Sequence, residues 1–454
     1  MNSYNDFLNS KKITLKNSGF IADGNFMPKD IKEFQKDIVM WACKRGRGAI
    51  FADTGLGKTL MQLTWADLVQ KETGKPVLIL APLCVAQQTV REGEKFGIAS
   101  EYIRDEKDAT ANIQVTNYEM LKNFSPEKYS GIVLDESSIL KGMQGKIRRH
   151  ITEFGKTIPY RLSCTATPSP NDFMELGTQS EFLGIMSQTE MLAMFFIHDG
   201  SDTSKWRLKG HARKKFWEWI STWAIVIKSP KDLGYECEGY DLPPLVFHEH
   251  IVETDPTEDL FVTIAQGLLE RNRARKDSVD ARCNKAAELM SGWSRSIAWC
   301  NLNDESKMIS SLSNSVEITG SMKPEHKESS IIGFTDGDIE SITTKPKIAG
   351  FGLNWQHCNK MVFVGLSDSF EAFYQAVRRC WRFGQKSQVD VHIVISDREG
   401  AVLNNIKRKQ SQNDQMASEM ATIMRDLVIS EIKGATLEKM DYMPQEKMTT
   451  PTFL

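Results

Sequence analysis

Ala52-Asp-Thr-Gly-Leu-Gly-Lys-Thr59 follows the apolar run Gly48-Ala-Ile-Phe51 and precedes an apolar helical pattern from Leu60 to Leu68. A strand, a glycine-rich loop and a helix in this order form the context that a phosphate-binding loop needs. Free N–H groups at the start of such a helix bind phosphate oxygens. The stretch therefore predicts an α/β lobe that binds a nucleotide.

Individual residues of this loop have distinct expected roles. Gly55 and Gly57 allow a tight backbone, and Lys58 supplies a cation near the β- and γ-phosphates. Thr59 is expected to place its hydroxyl on Mg²⁺. The strict pattern has glycine where Ala52 stands, a slot that tolerates a methyl group in many such loops. The alternative interpretation is a glycine-rich turn before a helix, with no ligand.

Length and composition set the outer limits of the interpretation. The chain has 454 residues, of which 41% are hydrophobic and 26% charged, so it suits two or three compact units with sizeable cores. Its net charge is only -2, so a polyanionic partner would have to meet a local basic surface.

Cysteine usage and hydropathy bear on the compartment. The eight cysteines form no C-x-x-C pair, which argues against a structural zinc and a disulfide framework and fits a reducing cytosol. They are Cys43, Cys84, Cys164, Cys237, Cys283, Cys300, Cys358 and Cys380. With no apolar segment near the start and no run of about 18 apolar residues, we expect neither secretion nor membrane insertion.

Short apolar runs separated by amphipathic stretches predict buried parallel strands in two α/β layers. In the first layer the runs are Gly48–Phe51, Val77–Ala81, Ile113–Thr116, Gly131–Leu134 and a further strand near Tyr160–Leu162. In the second layer they are Ser296–Trp299, Ser315–Ile318, Lys347–Ala349, Met361–Val364 and Val389–Ile395. The predicted domains are an N-terminal extension (1–30), a first lobe (31–188), a helical insertion (189–242), a second lobe (243–400) and a C-terminal helical tail (401–454).

Two carboxylates follow the buried run Ile132–Leu134. Asp135 and Glu136 should emerge at the carboxyl edge of a strand, where ligands of α/β sheets collect. Asp135 is expected to orient hydrated Mg²⁺, and Glu136 to accept the proton of an attacking water. On its own this pair is equally typical of a solvated loop, and only the phosphate loop upstream favours catalysis.

Ser163-Cys-Thr-Ala-Thr-Pro168 places several hydroxyls after another predicted strand. Such a group can hydrogen-bond the carboxylates and report the γ-phosphate to the rest of the protein. The alternative is an ordinary turn.

The second layer carries an arginine-rich stretch, Gln375-Ala-Val-Arg-Arg-Cys-Trp-Arg-Phe-Gly-Gln385. We expect a helix to start here, with Arg379 and Arg382 on one face because they are three residues apart. Both would then reach across a cleft to a triphosphate, whereas Arg378 falls on a different face. The alternative is a solvated helix or one that faces nucleic acid.

A third chemical feature is the aromatic and basic segment between the two layers. Trp206, Arg213 and Lys214 are candidate nucleic-acid contacts, because cations bind phosphates and aromatic rings stack on bases. The alternative is that Trp217, Trp219 and Trp223 pack this segment onto the first lobe.

Taken together, these motifs resemble those of superfamily-two helicase ATPases, closest to the Swi/Snf-type DNA translocases of phage or bacterial origin. The segment from Gln375 to Gln385 is similar to the family pattern Q-A-x-x-R-x-H-R-x-G-Q, with Trp381 in place of histidine. Asp135-Glu136-Ser-Ser138 matches the D-E-A-H or D-E-A-D box in its carboxylates only, which leaves the subclass open. The resemblance covers residues 31–396 and implies two tandem RecA-like lobes.

The resemblance also implies roles for single residues. Gln35 is expected to read the adenine, and Thr116 to grip a nucleic-acid backbone, while Arg379 and Arg382 take arginine-finger roles. Lys141, Lys146 and Arg149 resemble the family's basic element beside DNA. The nucleotide-binding set is then Gln35, Thr54, Gly55, Leu56, Gly57, Lys58, Thr59, Gly352 and Asn354.

The expected function is an ATP- and Mg²⁺-dependent DNA helicase or translocase that moves on double-stranded DNA. An RNA helicase and an ATP-gated DNA clamp with little turnover are the alternatives. The resemblance leaves protein partners open, and we expect a monomer in the cytoplasm of a bacterial or phage-infected cell.

Overall fold

The computed structural model describes residues 17–141, 145–199, 202–236, 239–253, 276–349, 354–367 and 369–432. Helices and strands alternate through its first part. They are α1 (Glu33–Arg45), β1 (Arg47–Ala52), α2 (Lys58–Thr73), β2 (Val77–Ala81), α3 (Leu83–Lys95), β3 (Glu101–Tyr102), β4 (Ile113–Asn117), β5 (Gly131–Asp135), α4 (Lys146–Gly155), β6 (Tyr160–Cys164), α5 (Glu175–Leu183), α6 (Gln188–Phe195), β7 (Phe196–Asp199), β8 (Asp202–Leu208), α7 (Arg213–Ser221) and β9 (Ala224–Ile227).

The second part continues the alternation. Its elements are β10 (Leu245–Val252), α8 (Val279–Met290), β11 (Ser296–Cys300), α9 (Asn303–Ser313), β12 (Val316–Ile318), α10 (Pro324–Asp336), β13 (Ser341–Thr344), α11 (Pro346–Ala349), β14 (Lys360–Val364), α12 (Phe370–Val377), β15 (Val389–Ser396) and α13 (Gly400–Ile432). Short 3₁₀ turns occur along both parts, at Gly24–Phe26, Glu106–Asp108, Tyr118–Asn123, Pro126–Lys128, Ser137–Lys141, Gly210–Ala212, Pro230–Leu233 and Asp397–Glu399.

Each part forms one parallel sheet covered by helices. The first has the strand order β3-β4-β2-β5-β6-β1-β9, and the second has the order β10-β15-β14-β11-β13-β12. Strands β2, β4 and β5 are buried along their whole length, as parallel strands with helices on both faces must be. The predicted fold, two tandem α/β lobes, is confirmed.

Separate hydrophobic cores hold the two lobes. One core runs from Ala22 to Leu233, and the other side chains cluster between Cys283 and Ile406. Trp217, Trp219 and Trp223 are buried in the first core, so these rings pack the intervening segment onto the first lobe.

The segment predicted as a helical, aromatic and basic insertion contains more than helix. It holds the antiparallel hairpin of β7 and β8, the helix α7, and the strand β9, which pairs with β1 at the edge of the first sheet. The apolar run Ala224-Ile-Val-Ile227 is the strand signal that our sequence interpretation passed over.

Two local predictions in the second lobe are wrong. Lys347–Ala349 belongs to the short helix α11, and the strand is Ser341-Ile-Thr-Thr344, whose β-branched residues suit a pleated sheet. The arginine-rich stretch does not start a helix, because α12 ends at Val377 and the chain continues in turns.

The helix α13 leaves the second lobe and packs back on the first. It contacts α7, β9 and α1, and Lys228 Nζ lies 3.3 Å from Asp414 Oδ1. No helix in the described ranges is both long and apolar enough to cross a bilayer.

Candidate active site

The candidate site begins at the carboxyl edge of the first sheet. Strands β1, β6 and β5 are parallel neighbours there, so the residues that follow them meet at one edge. The phosphate loop follows β1, Glu136 follows β5, and Thr165 follows β6. The sheet topology thus brings three separate sequence motifs together.

Backbone geometry of the phosphate loop explains its glycines. Gly55 and Gly57 have φ values of 88° and 77°, in the left-handed region that favours glycine. Lys58 Nζ lies across the loop and donates to the carbonyls of Ala52 and Asp53 at 2.8 and 3.2 Å. Burial lowers the pKa of Lys58, an effect opposed by the nearby carboxylates.

Gln35 lies directly against this loop. Its Nε2 donates to the carbonyl of Leu56 at 2.8 Å, and its Oε1 accepts from the backbone N–H of Lys32 at 2.9 Å. A Cβ on Gly57 would lie 2.2 Å from Gln35 Nε2, so a larger residue there would have to displace the Gln35 amide from the loop. The structure therefore brings the predicted adenine-reading residue to the nucleotide loop.

Thr54 and Thr59 complete the loop. The backbone N–H of Thr54 donates to Asp53 Oδ1 at 2.7 Å, and Thr59, the second residue of α2, is half-buried. Its position in the first turn of a helix that follows a phosphate loop is the one from which a threonine hydroxyl reaches Mg²⁺.

Asp135 is buried at the end of β5. Its Oδ1 accepts from Gln62 Nε2 at 2.8 Å and from the backbone N–H of Glu136 at 3.1 Å. Burial raises the pKa of Asp135, an effect opposed mainly by the bond from Gln62 and by the charge of Lys58. A buried carboxylate at this edge fits a magnesium ion that takes few protein ligands and keeps waters and phosphate oxygens.

Glu136 has a strained backbone, with φ at 52°, which is unusual for a residue other than glycine. Its Oε2 accepts from Thr165 Oγ1 at 3.3 Å and from Gln375 Nε2 of the second lobe at 3.4 Å. Burial and the neighbouring carboxylate of Asp135 raise the pKa of Glu136 to about 7. A carboxylate with such a pKa is suited to general base chemistry.

The second lobe reaches this site through a polar stripe on and just after α12. Glu371, Tyr374, Gln375 and Arg378 have the i, i+3, i+4, i+7 spacing of one helical face. Tyr374 Oη donates to Asp53 Oδ1 at 2.7 Å, and Arg378 forms an ion pair with the same carboxylate. Arg378, which the sequence interpretation had set aside, is therefore directed at the phosphate loop.

Glu371 makes the remaining contacts of the stripe. Its carboxylate accepts from Ser138 Oγ and forms an ion pair with Lys141, both in the turn that follows the two acidic residues. Lys141 was expected to contact nucleic acid, and in this conformation it contacts the other lobe.

Arg379 and Arg382 lie in the turns after α12, not on a shared helical face. Arg379 is 4% exposed, and its charge favours the ionised forms of Asp135 and Glu136. Burial lowers the pKa of Arg382, with Glu92 opposing the effect. A Cβ on Gly55 would lie 3.6 Å from the Cβ of Arg382, so both arginines reach the site, by turn geometry rather than helical spacing.

Gln385 and Trp381 hold these turns in place. Gln385 Nε2 donates to the carbonyls of Cys358 and Cys380 at 3.1 and 3.2 Å. Trp381 Nε1 donates to the carbonyl of Pro243 at 2.7 Å, and its ring lies 4.3 Å from the Arg378 guanidinium. The tryptophan, which the sequence left unexplained, ties the arginine-rich turns to the segment that connects the lobes.

Two predicted nucleotide contacts remain. Asn354 is exposed, and its neighbour Trp355 donates its backbone N–H to the carbonyl of Arg379 at 2.9 Å. Gly352 lies outside the described residues.

The predicted nucleic-acid contacts fall into two groups. Lys146 and Arg149 are exposed on α4, and Lys214 is exposed with its Nζ 3.9 Å from Glu218. Thr116 is fully buried, and its hydroxyl has no hydrogen-bond partner within the described ranges. Only the exposed residues are presented to a large partner in this conformation.

Arg213 and Trp206 have partners within the chain. Arg213 forms an ion pair with Glu419 of α13, which also accepts from Trp217 Nε1 at 3.2 Å. Trp206 is half-buried, and its ring lies 3.7 Å from that of His198 across the hairpin.

Sequence reasoning missed Glu371, Tyr374, Arg378 and Asp53. The first three carried a usable signal, because their helical spacing marks a polar stripe on an otherwise apolar helix. Asp53 carried none, since the phosphate-loop pattern leaves its position open.

Comparisons with known proteins agree with these motifs. The chain matches the SNF2-related domain over residues 34–195 and the helicase conserved C-terminal domain over residues 282–384. The solved SWI2/SNF2 ATPase core of Sulfolobus solfataricus in complex with dsDNA is similar at 20% identity and a TM-score of 0.44, covering 91% of this chain and 99% of that one.

Relatives match over about a third of this chain. The zebrafish chromodomain-helicase-DNA-binding protein 1-like is 29% identical over 34% of this chain and 17% of its own length. Putative protein p41 of Acyrthosiphon pisum secondary endosymbiont phage 1 is 30% identical over 35% of this chain and 39% of its own length. The yeast TATA-binding protein-associated factor MOT1 is 25% identical over 34% and 10%.

The chain thus spans well under half of these relatives. The matched segments nevertheless include the phosphate loop, the acidic pair and the arginine-rich turns. By the two domains that it carries, the chain belongs to the Snf2-type ATPase family of helicase superfamily two.

Proposed function

We propose that this enzyme couples ATP hydrolysis to movement along double-stranded DNA. The observation that carries the proposal is the division of the site between two lobes: phosphate-binding and acidic residues stand on the first, and Arg379 and Arg382 stand on the second. A site divided in this way is complete only when the lobes close. ATP binding and hydrolysis then drive one closing and one opening movement per cycle.

Each residue has a distinct task in the proposed reaction. Lys58 and the loop N–H groups bind the triphosphate, with Gln35 and Asn354 at its edges. Thr59 and Asp135 would hold Mg²⁺, which would neutralise charge on the phosphates when bound. Glu136 accepts a proton from the attacking water, and Arg379 and Arg382 stabilise negative charge on the transferred phosphoryl group.

The proposed DNA contact lies on α4 and the turn before it. Lys146 and Arg149 are exposed there, and Lys141 contacts Glu371 of the second lobe. Because Lys141 belongs both to this basic surface and to the contact between the lobes, DNA binding there would affect lobe closure. The zebrafish relative, whose name includes DNA binding, supports DNA as the partner.

ATPase stimulation tests the substrate. Steady-state hydrolysis is measured with duplex DNA, single-stranded DNA, RNA and no nucleic acid, and Lys58→Ala serves as the control for contaminating activity. We expect stimulation by duplex DNA. Stimulation by RNA alone would favour the RNA helicase, and DNA binding without stimulated turnover would favour the ATP-gated clamp.

Displacement of a triplex-forming strand tests the movement itself. A translocating enzyme releases the third strand from duplex DNA in an ATP-dependent reaction without separating the duplex. Lack of release under conditions of stimulated ATPase activity would remove translocation from the proposal.

A salt titration tests the surface. The double variant Lys146→Ala/Arg149→Ala should weaken duplex binding and reduce the slope of log K against log salt by about 1.8, since each phosphate contact contributes about 0.9. Lys107→Ala, an exposed lysine elsewhere on the first lobe, is the matched control. An unchanged slope would move the DNA contact to another surface.

We further propose a bacterial or phage setting and a monomeric state. The phage relative p41 supports the first. Sedimentation with and without duplex DNA tests the second, with a monomer expected in both.

A further inference from the structure

We propose that Arg378 is a positioning residue that holds the second lobe closed on the phosphate loop and neutralises Asp53 ahead of triphosphate binding. The proposal deepens the proposed function and rests on it for the identity of the nucleotide. Arg378 and Asp53 carry opposite charges and belong to different lobes, yet they meet at the phosphate loop.

The carboxylate of Asp53 is held from both lobes. Its carboxylate accepts from the backbone N–H of Thr54 at 2.7 Å and from Tyr374 Oη at 2.7 Å, and it forms the ion pair with Arg378. Asp53 is 8% exposed and Arg378 6% exposed, so this pair is removed from water.

Arg378 is held equally firmly on its own side. Its Nε donates to Tyr374 Oη and its Nη1 to the carbonyl of Trp381, both at 3.2 Å. The guanidinium lies over the rings of Tyr374 and Trp381. Burial lowers the pKa of Arg378 to about 9, an effect that the charge of Asp414 on α13 opposes. The side chain therefore arrives at the phosphate loop in a fixed orientation.

Removing one member of a buried ion pair leaves the other charged group buried and uncompensated. In this site the uncompensated charge of Asp53 would act on the nucleotide, because Asp53 directly precedes the loop residues proposed to bind a triphosphate. Without Arg378, the Asp53 carboxylate repels the phosphates as well as losing its link to the second lobe. The two consequences can be separated. The ion pair between the lobes is lost in both Arg378→Met and Asp53→Asn, but only Asp53→Asn also removes the charge that repels the phosphates.

Lobe closure and nucleotide affinity are measured independently of turnover. Donor and acceptor dyes on non-natural residues at exposed Glu94 and Glu325 report the distance between the lobes by energy transfer, without ATP or DNA. A fluorescent ATP analogue gives Kd. The variants are Arg378→Met, Asp53→Asn and the double variant. Glu106→Gln, which breaks a surface pair with Lys128 in the first lobe, is the control.

Both single variants should lower energy transfer, because the link is lost in each. We expect only about one tenth of the Arg378→Met molecules to be closed, which raises Kd for the analogue about tenfold. Repulsion between Asp53 and the phosphates raises Kd further. The double variant should stay open yet bind the analogue more tightly than Arg378→Met, so that its Kd matches that of Asp53→Asn. Glu106→Gln should change neither signal.

Unchanged energy transfer in Asp53→Asn overturns the positioning role, and this near-isosteric variant decides it if Arg378→Met does not fold. A double variant whose Kd change equals the product of the two single changes overturns the neutralising role. Failure of the proposed function looks different: nucleic acid would not stimulate hydrolysis, while the lobe distance would still respond to Asp53→Asn.

Discussion

Leu56 and Lys58 of the phosphate loop are held by contacts within the first lobe, whereas the polar stripe of the second lobe, Glu371, Tyr374, Gln375 and Arg378, places its side chains on first-lobe partners. Lys58 donates to carbonyls of its own loop, and Gln35 of the same lobe donates to Leu56. Arg378, by contrast, pairs with Asp53 of the other lobe.

The difference indicates a division of labour. A loop that is held largely within its own lobe offers its phosphate contacts in any lobe arrangement, although the affinity should fall when Arg378 no longer holds the lobes closed. The arginine-rich turns contribute only when the lobes are closed. First-lobe changes should therefore affect both binding and turnover, and changes at Arg379 and Arg382 should act on turnover with little effect on a nucleotide bound to the first lobe. Arg378 differs from these two arginines, because it contacts the phosphate loop itself through Asp53.

Lys58→Ala should have the largest effect. Losing the loop cation weakens ATP binding and lowers kcat by about 10³-fold, because the lysine contacts the phosphates in the ground state and the transition state. Steady-state kinetics with duplex DNA measure both parameters. Lys71→Ala, on the exposed end of the same helix, should match the unchanged protein, and unaltered binding in Lys58→Ala would contradict the first-lobe role.

Arg382→Ala should lower kcat by about 10³-fold while the affinity for the ATP analogue stays within about twofold of that of the unchanged protein. The arginine stabilises charge that develops only in the transition state. Pre-steady-state turnover with equilibrium binding separates the two quantities. Lys386→Ala, exposed just beyond the turns, is the control. A parallel loss of binding would show that the second lobe helps to hold the ground-state nucleotide.

The same contrast explains what the sequence could predict. Motifs built from consecutive residues, such as the phosphate loop and the Asp135–Glu136 pair, specify their own local geometry. The apolar runs before these motifs predict the strands. Residues that act across the cleft depend on how two lobes meet. Asp53 fills an open position of its pattern, so nothing local marks it as the partner of Arg378.

Errors in the second lobe have a local physical origin as well. Arg379 and Arg382 have helical spacing, but α12 stops at Val377, and Gly384, with φ at 91°, turns the chain over the phosphate loop. Helix ends are set by such turns and by tertiary contacts, here those of Gln385 with two carbonyls. Spacing therefore predicted a shared helical face where the chain forms turns, and the finger roles of Arg379 and Arg382 stay predictions.

Gly55→Ala should have an intermediate effect and tests how closely the lobes meet. Alanine at φ 88° costs about 1–2 kcal/mol of strain, and its Cβ would lie 2.9 Å from the backbone N of Phe383 in the second lobe. We expect kcat/KM to fall about ten- to a hundredfold. Gly74→Ala is the matched control, because its φ is 66° but nothing lies within 4 Å of the added Cβ. Equal losses in the two variants would place the whole effect in backbone strain.

Trp381→Phe should have the smallest effect and isolates the tie between the arginine-rich turns and the connecting segment. Phenylalanine keeps a ring beneath Arg378 but loses the 2.7 Å bond from the indole N–H to the Pro243 carbonyl. The free energy of unfolding should fall by about 1 kcal/mol, the usual value of such a bond, with kcat lowered less than about fivefold. Urea unfolding and ATPase assays measure the two effects. Trp293→Phe, which removes an indole from the same lobe next to His392, should leave kcat unchanged. A loss of kcat in Trp381→Phe as large as that in Arg382→Ala would mean that the turns depend on this one bond, and that the second lobe's part of the site is less firmly built than its many cross-lobe contacts indicate.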